Sequence, residues 1–490
     1  MTPVGHRSFL GRDTDEAGGR GDRWRGGDGA GAVKRIAVHG RRAGRWLTRR
    51  AGWCLAGSLA LYALTALLSP AEPLDLRVYH EAAPHVLTGG LYDQVVRTGP
   101  PIPELPFTYP PFAALVLLPL AHLPWTAAVV LWRAASLAAV LVVTAGALRL
   151  LPHRFGGDRD RALLWAAAAP WLEPVRHTLD QGQINLLLGA AVVGGLAFGH
   201  RAAVRGTSVA LAASLKLTPA VAGAYLLATR QWRAAGWAVA TGGAAVGLAW
   251  WIAPGESERY WSGLVTDTRR VGPVWSVRNQ SLRGALTRLL GHDAGGTALW
   301  WAALALVTLA AAGALRAALR RDDPLGVLVT VELYGLLVCP VSWSHHWIWC
   351  LPAMIWLAHG PHRTRAAART VLVLWAAVTG ARLVPRLIGA EDRLSRPDPY
   401  PWTLAWPGCV YAGCALLTFL VLALAARRTG PAGSPEYDRD AAAGRSPLRP
   451  DGAAVSSRRG RARPATGRPV RRAPDPWRWS AGPGRRRGWR

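Results

Sequence analysis

AGWCLAGSLALYALTALLS, residues 51–69, is an uncharged apolar run, close to the ~20 residues a helix needs to cross a ~30 Å hydrocarbon core. It follows a long basic stretch and has no small-residue A-x-A-like site behind it. A first membrane span is therefore favoured over a cleaved signal peptide. Similar runs follow near 126–150, 161–178, 182–199, 206–229, 233–253, 297–320, 325–341, 346–360, 367–389 and 402–427, with a Pro-rich apolar piece at 109–124. The pattern predicts an all-α polytopic membrane protein, a bundle of roughly ten to twelve helices.

Composition agrees with segregation along the chain. The 490 residues are 51% hydrophobic yet carry 58 Lys and Arg against 29 Asp and Glu. Much of that charge lies at the ends. Residues 1–50 are rich in Gly and Arg, and 428–490 in Arg, Pro, Gly and Ser, compositions that bury too little to fold. Two disordered basic tails are expected to flank a membrane domain at 51–427. The formal charge of +29 comes with no DNA- or RNA-binding motif and little aromatic interleaving. Attraction of the tails to anionic lipid is the simpler reading, and no nucleic-acid partner is expected.

Lys and Arg accumulate in short cytoplasmic loops. GRRAGRWLTRR before the first run and AARRTG after the last put both termini in the cytoplasm, and RQWR, RRDD and PHRTR mark further cytoplasmic loops. Segments 70–108, 254–296, the stretch around SWSHH and 389–401 then fall outside. The 206–229 run has basic flanks at both ends and KLTP in its middle, which suits a hairpin of two short helices with Lys216 near its tip. Cys54, Cys339, Cys350, Cys409 and Cys414 lie in apolar segments without CxxC spacing. They read as small buried hydrophobes.

Chemistry is then sought in the outside loops and in polar groups within apolar runs, because an ionisable residue there costs about 2.5–3.5 kcal/mol on insertion scales. Asp75 lies a few residues beyond the first run, near the membrane surface. It is either a solvated or capping carboxylate or a general base. Prolines after Tyr109 fix an extended entry into the next apolar piece. Gln183 and Asn185 either cap a helix or hydrogen-bond sugar hydroxyls. Lys216 either snorkels to an interface or meets a phosphate as a point charge. In RRVGPVWSVRNQSLRGAL, Arg269, Arg270, Arg278 and Arg283 are able to grip an anionic headgroup.

SWSHHWIW, Ser342–Trp349, sets His345 and His346 among three tryptophans. Neighbouring side chains on a helix diverge by about 100°, so the pair does not chelate one ion as an i, i+4 pair would. With no Cys, Asp or Glu nearby, no metal is expected.

DLRVYHEAA with GGLYD after it, PFTYPPFAALVLLPLA, GQINLLLGA, SLKLTPA, RNQSLRGAL and SWSHHWIW, in this order, resemble the polyprenyl-phosphate-mannose-dependent alpha-mannosyltransferases of glycosyltransferase family 87. The resemblance covers about 51–427. It implies a GT-C-like helix bundle that moves a sugar from a lipid-phosphate donor to a cell-envelope glycolipid or glycan at the outer membrane face. Inversion at the anomeric centre and no cofactor are implied with it. Asp75 then stands as the base, with His345 and His346 as further catalytic candidates. Tyr79, Tyr109, Gln183, Asn185, Lys216, Arg278, Asn279 and Gln280 are the candidate substrate contacts. The expected partners are the donor lipid, the acceptor and membrane lipids. Relatives of the same type use an arabinofuranosyl donor, and no residue here decides the sugar. A lipid or solute transporter is the competing class, although the two halves of the chain show no repeat. There is also no GxGxxG or Walker sequence for a nucleotide sugar.

Overall fold

The computed structural model of the chain describes residues 50–99, 104–152, 158–394 and 400–424. The expected tails, apart from Arg50, lie outside the described residues. Helices of seven residues or more are numbered. The chain opens with α1 (Ala51–Leu68) and the short α2 (Leu74–Ala82). An antiparallel pair of three-residue strands follows, β1 (Val95–Arg97) and β2 (Glu104–Pro106), with Val96 opposite Leu105. Next come α3 (Pro111–Ala121), α4 (Trp125–Arg149), α5 (Asp158–Ala168), α6 (Glu173–Gln181), α7 (Asn185–Phe198), α8 (Ala202–Leu215), α9 (Ala222–Ala228) and α10 (Trp232–Ile252). The last third holds α11 (Leu282–Leu290), α12 (Ala298–Leu319), α13 (Pro324–Val338), α14 (Cys350–His359), α15 (Ala366–Gly380), α16 (Leu383–Asp392) and α17 (Val410–Leu424).

Helices α1, α4, α10 and α12, and the stretch Trp402–Leu424 that ends in α17, are long and apolar enough to cross a membrane. Their 18 to 25 residues span about 27 to 38 Å. Counting the bent pairs α6–α7 and α15–α16 as one span each raises the total from five to seven. The chain is a multi-pass membrane protein. Trp53, Val239 and Trp251 are 80%, 77% and 81% exposed, an outward apolar surface suited to lipid rather than water. In contrast, α13 and α14 are buried along most of their length, as expected of helices that are apolar on nearly every face, with Glu332 the one charged side chain of α13. Helices α8 and α10 meet through a small residue: a Cβ on Gly206 would lie 2.0 Å from the Ala234 carbonyl oxygen. Such close approach is how helices associate in lipid.

The remaining expected passes are short or broken helices, and the breaks have local causes. The 161–178 run does not continue as one helix: α5 ends at Ala168, Pro170 and Pro174 restart the chain, and α6 meets α7 at 119°. Its second half carries Glu173, Arg176 and His177, with Asp180 just beyond, too much charge for lipid. The 206–229 run breaks at Lys216, whose backbone is extended between α8 and the tight turn Thr218–Val221. The 367–389 run bends by 43° next to Arg382, which has φ +50°. All five cysteines are free thiols.

Gly182 sets the α6–α7 corner. Its φ is +66°, and a Cβ there would lie 2.6 Å from Leu76 Cβ and 3.0 Å from Pro73 Cβ. Only glycine fits both demands at low cost. The corner therefore lies directly against the start of α2.

Candidate active site

Asp75 and Tyr79 stand one turn apart on α2, which buries Leu76, Val78, Tyr79 and Ala82, and Asp75 lines a cavity of about 540 Å³. Tyr109, just before the prolines that start α3, brings its hydroxyl to 3.0 Å from the Tyr79 hydroxyl. Beyond the Gly182 corner, Gln183 Oε1 accepts from Tyr79 at 3.0 Å and Gln183 Nε2 donates to the Tyr109 hydroxyl at 3.1 Å. The break between α8 and the next turn delivers Lys216. Its ammonium donates to Asn185 Oδ1 at 2.9 Å, lies 3.0 Å from His346 Nε2 and 5.3 Å from the centre of the Tyr109 ring. Residues from five separate segments thus form one connected polar network.

The two histidines do not diverge. Ser344–Trp349 is a tight turn with a kink at Trp347 rather than a regular helix, so the 100° expectation fails. The rings meet edge to face with centres 4.7 Å apart, and His177 of α6 stacks on His345 in the same way at 5.2 Å. Their bonding differs. His346 is tied to Lys216, whereas both ring nitrogens of His345 are buried without a hydrogen-bond partner. The His345 backbone is fixed, because its carbonyl accepts from Thr178 and from Asn185, each at 3.0 Å. The turn itself is anchored by Trp347, which packs against Trp375 and Tyr411.

Burial pushes the Asp75 carboxyl up to about 6, against the opposing pull of Lys216, His177 and a hydrogen bond from Gln183. Desolvation disfavours the charged form, and the neighbouring cations recover part of the difference. The outcome is a carboxylate poised to take a proton near neutral pH.

The structure brings Asp75, Tyr79, Tyr109, Gln183, Asn185, Lys216, His345 and His346 together. Arg278 borders the same cavity, but its guanidinium is already held by both oxygens of Asp392, at 2.9 and 2.7 Å. Asn279 and Gln280 are not brought to the cavity. Both are fully buried, and their amides bond to backbone: Asn279 to the Val274 and Pro340 carbonyls and to Ser342 N, Gln280 to the Val277 and Gly408 carbonyls. With Gln280 N donating to Ser342 O and Ser344 N to Arg278 O, they clamp the RNQS segment to the SWSHH turn. Sequence reasoning took the two motifs as separate contacts, and they are one paired unit.

Three positions were missed. His177 faces the cavity and bonds Ser344 Oγ at 2.8 Å; the charge density of α6 was the available signal. Buried Glu391 accepts from Ser276 Oγ, Val277 N and the Tyr400 hydroxyl at 2.7, 2.9 and 2.6 Å. Buried Arg288 donates to the Ser276, Asn279 and Gly408 carbonyls, each at 2.8 Å. No local pattern marks these two, since their partners are distant in sequence or are backbone atoms. Among the described residues no three His, Cys, Asp or Glu side chains converge to hold a metal ion.

An apolar groove of about 330 Å³ adjoins the cavity through Pro110 and Leu217, and runs between α8 and α10 past Ala213, Gly242 and Val246. The segments that charge assigns to the outside also pack together. Glu256 accepts from Gly90 N and Leu91 N, Arg259 pairs with Asp93, and Arg270 donates to the Tyr92 carbonyl at 2.9 Å.

Comparison with known proteins adds further findings. Residues 107–342 match the model of glycosyltransferase family 87. The chain is 38% identical over 380 residues, 76% of its length and 90% of the relative's, to the polyprenol-phosphate-mannose-dependent alpha-(1-2)-phosphatidylinositol pentamannoside mannosyltransferase of Mycolicibacterium smegmatis. It is 41% identical over 356 residues, 70% of its length and 80% of the relative's, to the protein of the same name from Mycobacterium tuberculosis. A phosphatidylinositol mannoside mannosyltransferase of Mycobacterium tuberculosis is 36% identical over 349 residues, 68% of this chain and 82% of that one. No solved structure matches the chain.

Proposed function

The chain belongs to glycosyltransferase family 87, and on that premise we propose that it is a membrane mannosyltransferase. It takes mannose from a polyprenyl-phosphate donor and transfers it to a phosphatidylinositol mannoside. Mannose is preferred to arabinofuranose because the relatives are named for a mannosyl donor. The observation that carries the reading is the meeting of Asp75, with its carboxyl at about 6, and the Lys216 ammonium in one cavity that adjoins an apolar groove.

An acceptor hydroxyl oxygen attacks the anomeric carbon, and Asp75 takes its proton. The bond from that carbon to the phosphate oxygen breaks on the opposite side, inverting the centre, and its electron pair leaves with the polyprenyl phosphate. Lys216, held by Asn185 and His346, meets the negative charge that develops on the leaving oxygen, where a fixed cation acts most strongly. His345, with both nitrogens uncommitted, offers a hydrogen bond to the phosphate or the sugar. Tyr79, Tyr109 and Gln183 hold the network in register, and Arg278 borders the entrance. The polyprenyl chain lies in the groove between α8 and α10. The basic flanks favour two cytoplasmic termini, which requires an even number of crossings and so one of the shorter apolar helices in addition to the five or seven longer candidates; the cavity then opens on the external face, as the packing of the outside segments on one another supports.

A transferase uses a base at the acceptor hydroxyl and a cation at the leaving phosphate, and a product assay separates it from a transporter. Membranes carrying the protein and supplied with radiolabelled polyprenyl-phosphate-mannose are expected to form a labelled glycolipid. Unchanged transfer by Asp75→Asn would remove the base assignment, and the absence of any labelled product from the wild type would remove the transferase reading.

A further inference from the structure

A second, larger cleft of about 1160 Å³ lies next to the catalytic cavity, and Leu264, Asp267, Thr268, Arg269, Gly272 and Pro273 border both. One wall carries Trp275 and Tyr400, edge to face with ring centres 6.2 Å apart and neither fully buried. The Tyr400 hydroxyl donates to Glu391, which also fixes Ser276 and Val277, the two residues after Trp275 in the chain. The lining also includes Arg283, Thr287, His292 and Asp293. There Arg283 grips both oxygens of Asp293, at 2.9 and 2.5 Å.

The charges in the cleft cancel in pairs. Arg283 is matched by Asp293, and Arg269 by Asp267 at 3.0 Å. A phosphate would compete with a carboxylate already in place, so an anionic headgroup is a poor fit. Half-exposed rigid rings with oriented donors and acceptors around them suit a neutral ligand that has both apolar C–H faces and many hydroxyls. The volume is about twice that of the catalytic cavity, too large for one hexose and suited to several linked ones.

We propose that this outer cleft is a neutral-oligosaccharide subsite. It holds the mannose units of the acceptor that lie away from the reacting hydroxyl, with Trp275 and Tyr400 as the stacking wall, and so sets how long an acceptor the enzyme prefers. The proposal rests on the reading of the acceptor as a phosphatidylinositol mannoside.

The test compares full-length wild type, Trp275→Ala and Trp275→Phe in lipid nanodiscs. Transfer from radiolabelled polyprenyl-phosphate-mannose is measured to a pentamannosylated and to a monomannosylated phosphatidylinositol. The ratio of kcat/KM values, long over short acceptor, is expected to fall about tenfold in Trp275→Ala, the scale of one lost aromatic contact, and to recover largely in Trp275→Phe. His292→Trp, at an exposed position that narrows the cleft, is expected to lower the same ratio, and serves if Trp275→Ala does not fold. An unchanged ratio in the folded variants overturns the proposal. A second arm separates this outcome from failure of the acceptor reading: calorimetric titration of each protein with free α-linked mannotetraose. Binding by the wild type that weakens in the variants supports the cleft even if neither glycolipid is an acceptor. Equal binding by wild type and variants, or no binding by the wild type, overturns it whatever the transfer assay shows.

Discussion

Gly182→Ala tests whether the α6–α7 corner positions the proposed base. Two costs follow from the geometry. The first is a side chain at φ +66°, about 1–2 kcal/mol for a non-glycine residue in the left-handed region. The second is a Cβ 2.6 Å from Leu76 Cβ and 3.0 Å from Pro73 Cβ. These are the roots of side chains rather than flexible tips, so the backbone of α2 must move, at about 1–3 kcal/mol for overpacking. Together they predict a loss of about 2–5 kcal/mol. Asp75 sits between the two displaced residues and moves with them. A shift approaching 1 Å in a catalytic group lowers turnover by about 10²-fold. Gly296→Ala is the control, because Gly296 has φ +79° with nothing within 4 Å of an added Cβ. It carries the backbone cost alone. Thermal unfolding of the purified proteins in nanodiscs gives the stability, and kcat is measured well below both melting temperatures. Gly182→Ala is expected to lose more stability than Gly296→Ala and, unlike it, to lose kcat. Equal stability in the two variants with wild-type kcat in Gly182→Ala would refute the account of the corner.

Wild-type kcat/KM is expected to rise with pH through about 6, where the Asp75 carboxyl ionises, and to level off above. The active form is the carboxylate, so protonation below that pH removes the base; a flat profile between pH 5 and 7.5 contradicts this. His345→Ala is expected to lower kcat by about 10²-fold if it acts as a hydrogen-bond donor in the transition state. His346→Ala instead removes one partner of Lys216 and leaves Asn185 to hold it, so a smaller loss of kcat is expected; equal, mild losses in the two variants would return the pair to packing. Arg288→Ala removes three hydrogen bonds; the Ser276 and Gly408 carbonyls keep Asn279 N and Gln280 Nε2 as donors, whereas the Asn279 carbonyl loses its donor, at about 1–3 kcal/mol when buried. The variant's melting temperature is expected to fall, and an unchanged one would show that water replaces the guanidinium.

Hydrophobic run lengths and basic flanks are properties of contiguous residues, so the sequence alone established a multi-pass helical protein and directed attention to Asp75, Lys216 and the histidine pair. The basic flanks and KLTP also marked the break of 206–229 at Lys216, but the 161–178 run read as unbroken. Residues 161–178 and 206–229 have the length of a span, but prolines, the charge of α6 and the extended backbone of Lys216 turn them into short pieces around a cavity. Those breaks bring α2, Gln183, Lys216 and the SWSHH turn together. The tertiary structure also divided alike-looking polar residues by use. Asn185 holds Lys216 and the His345 carbonyl, whereas Asn279 and Gln280 saturate backbone groups elsewhere. It separated His345 from His346 because only one has a partner. Residue type fixes which bonds a side chain is able to make, but only the folded surroundings decide which of them are already taken.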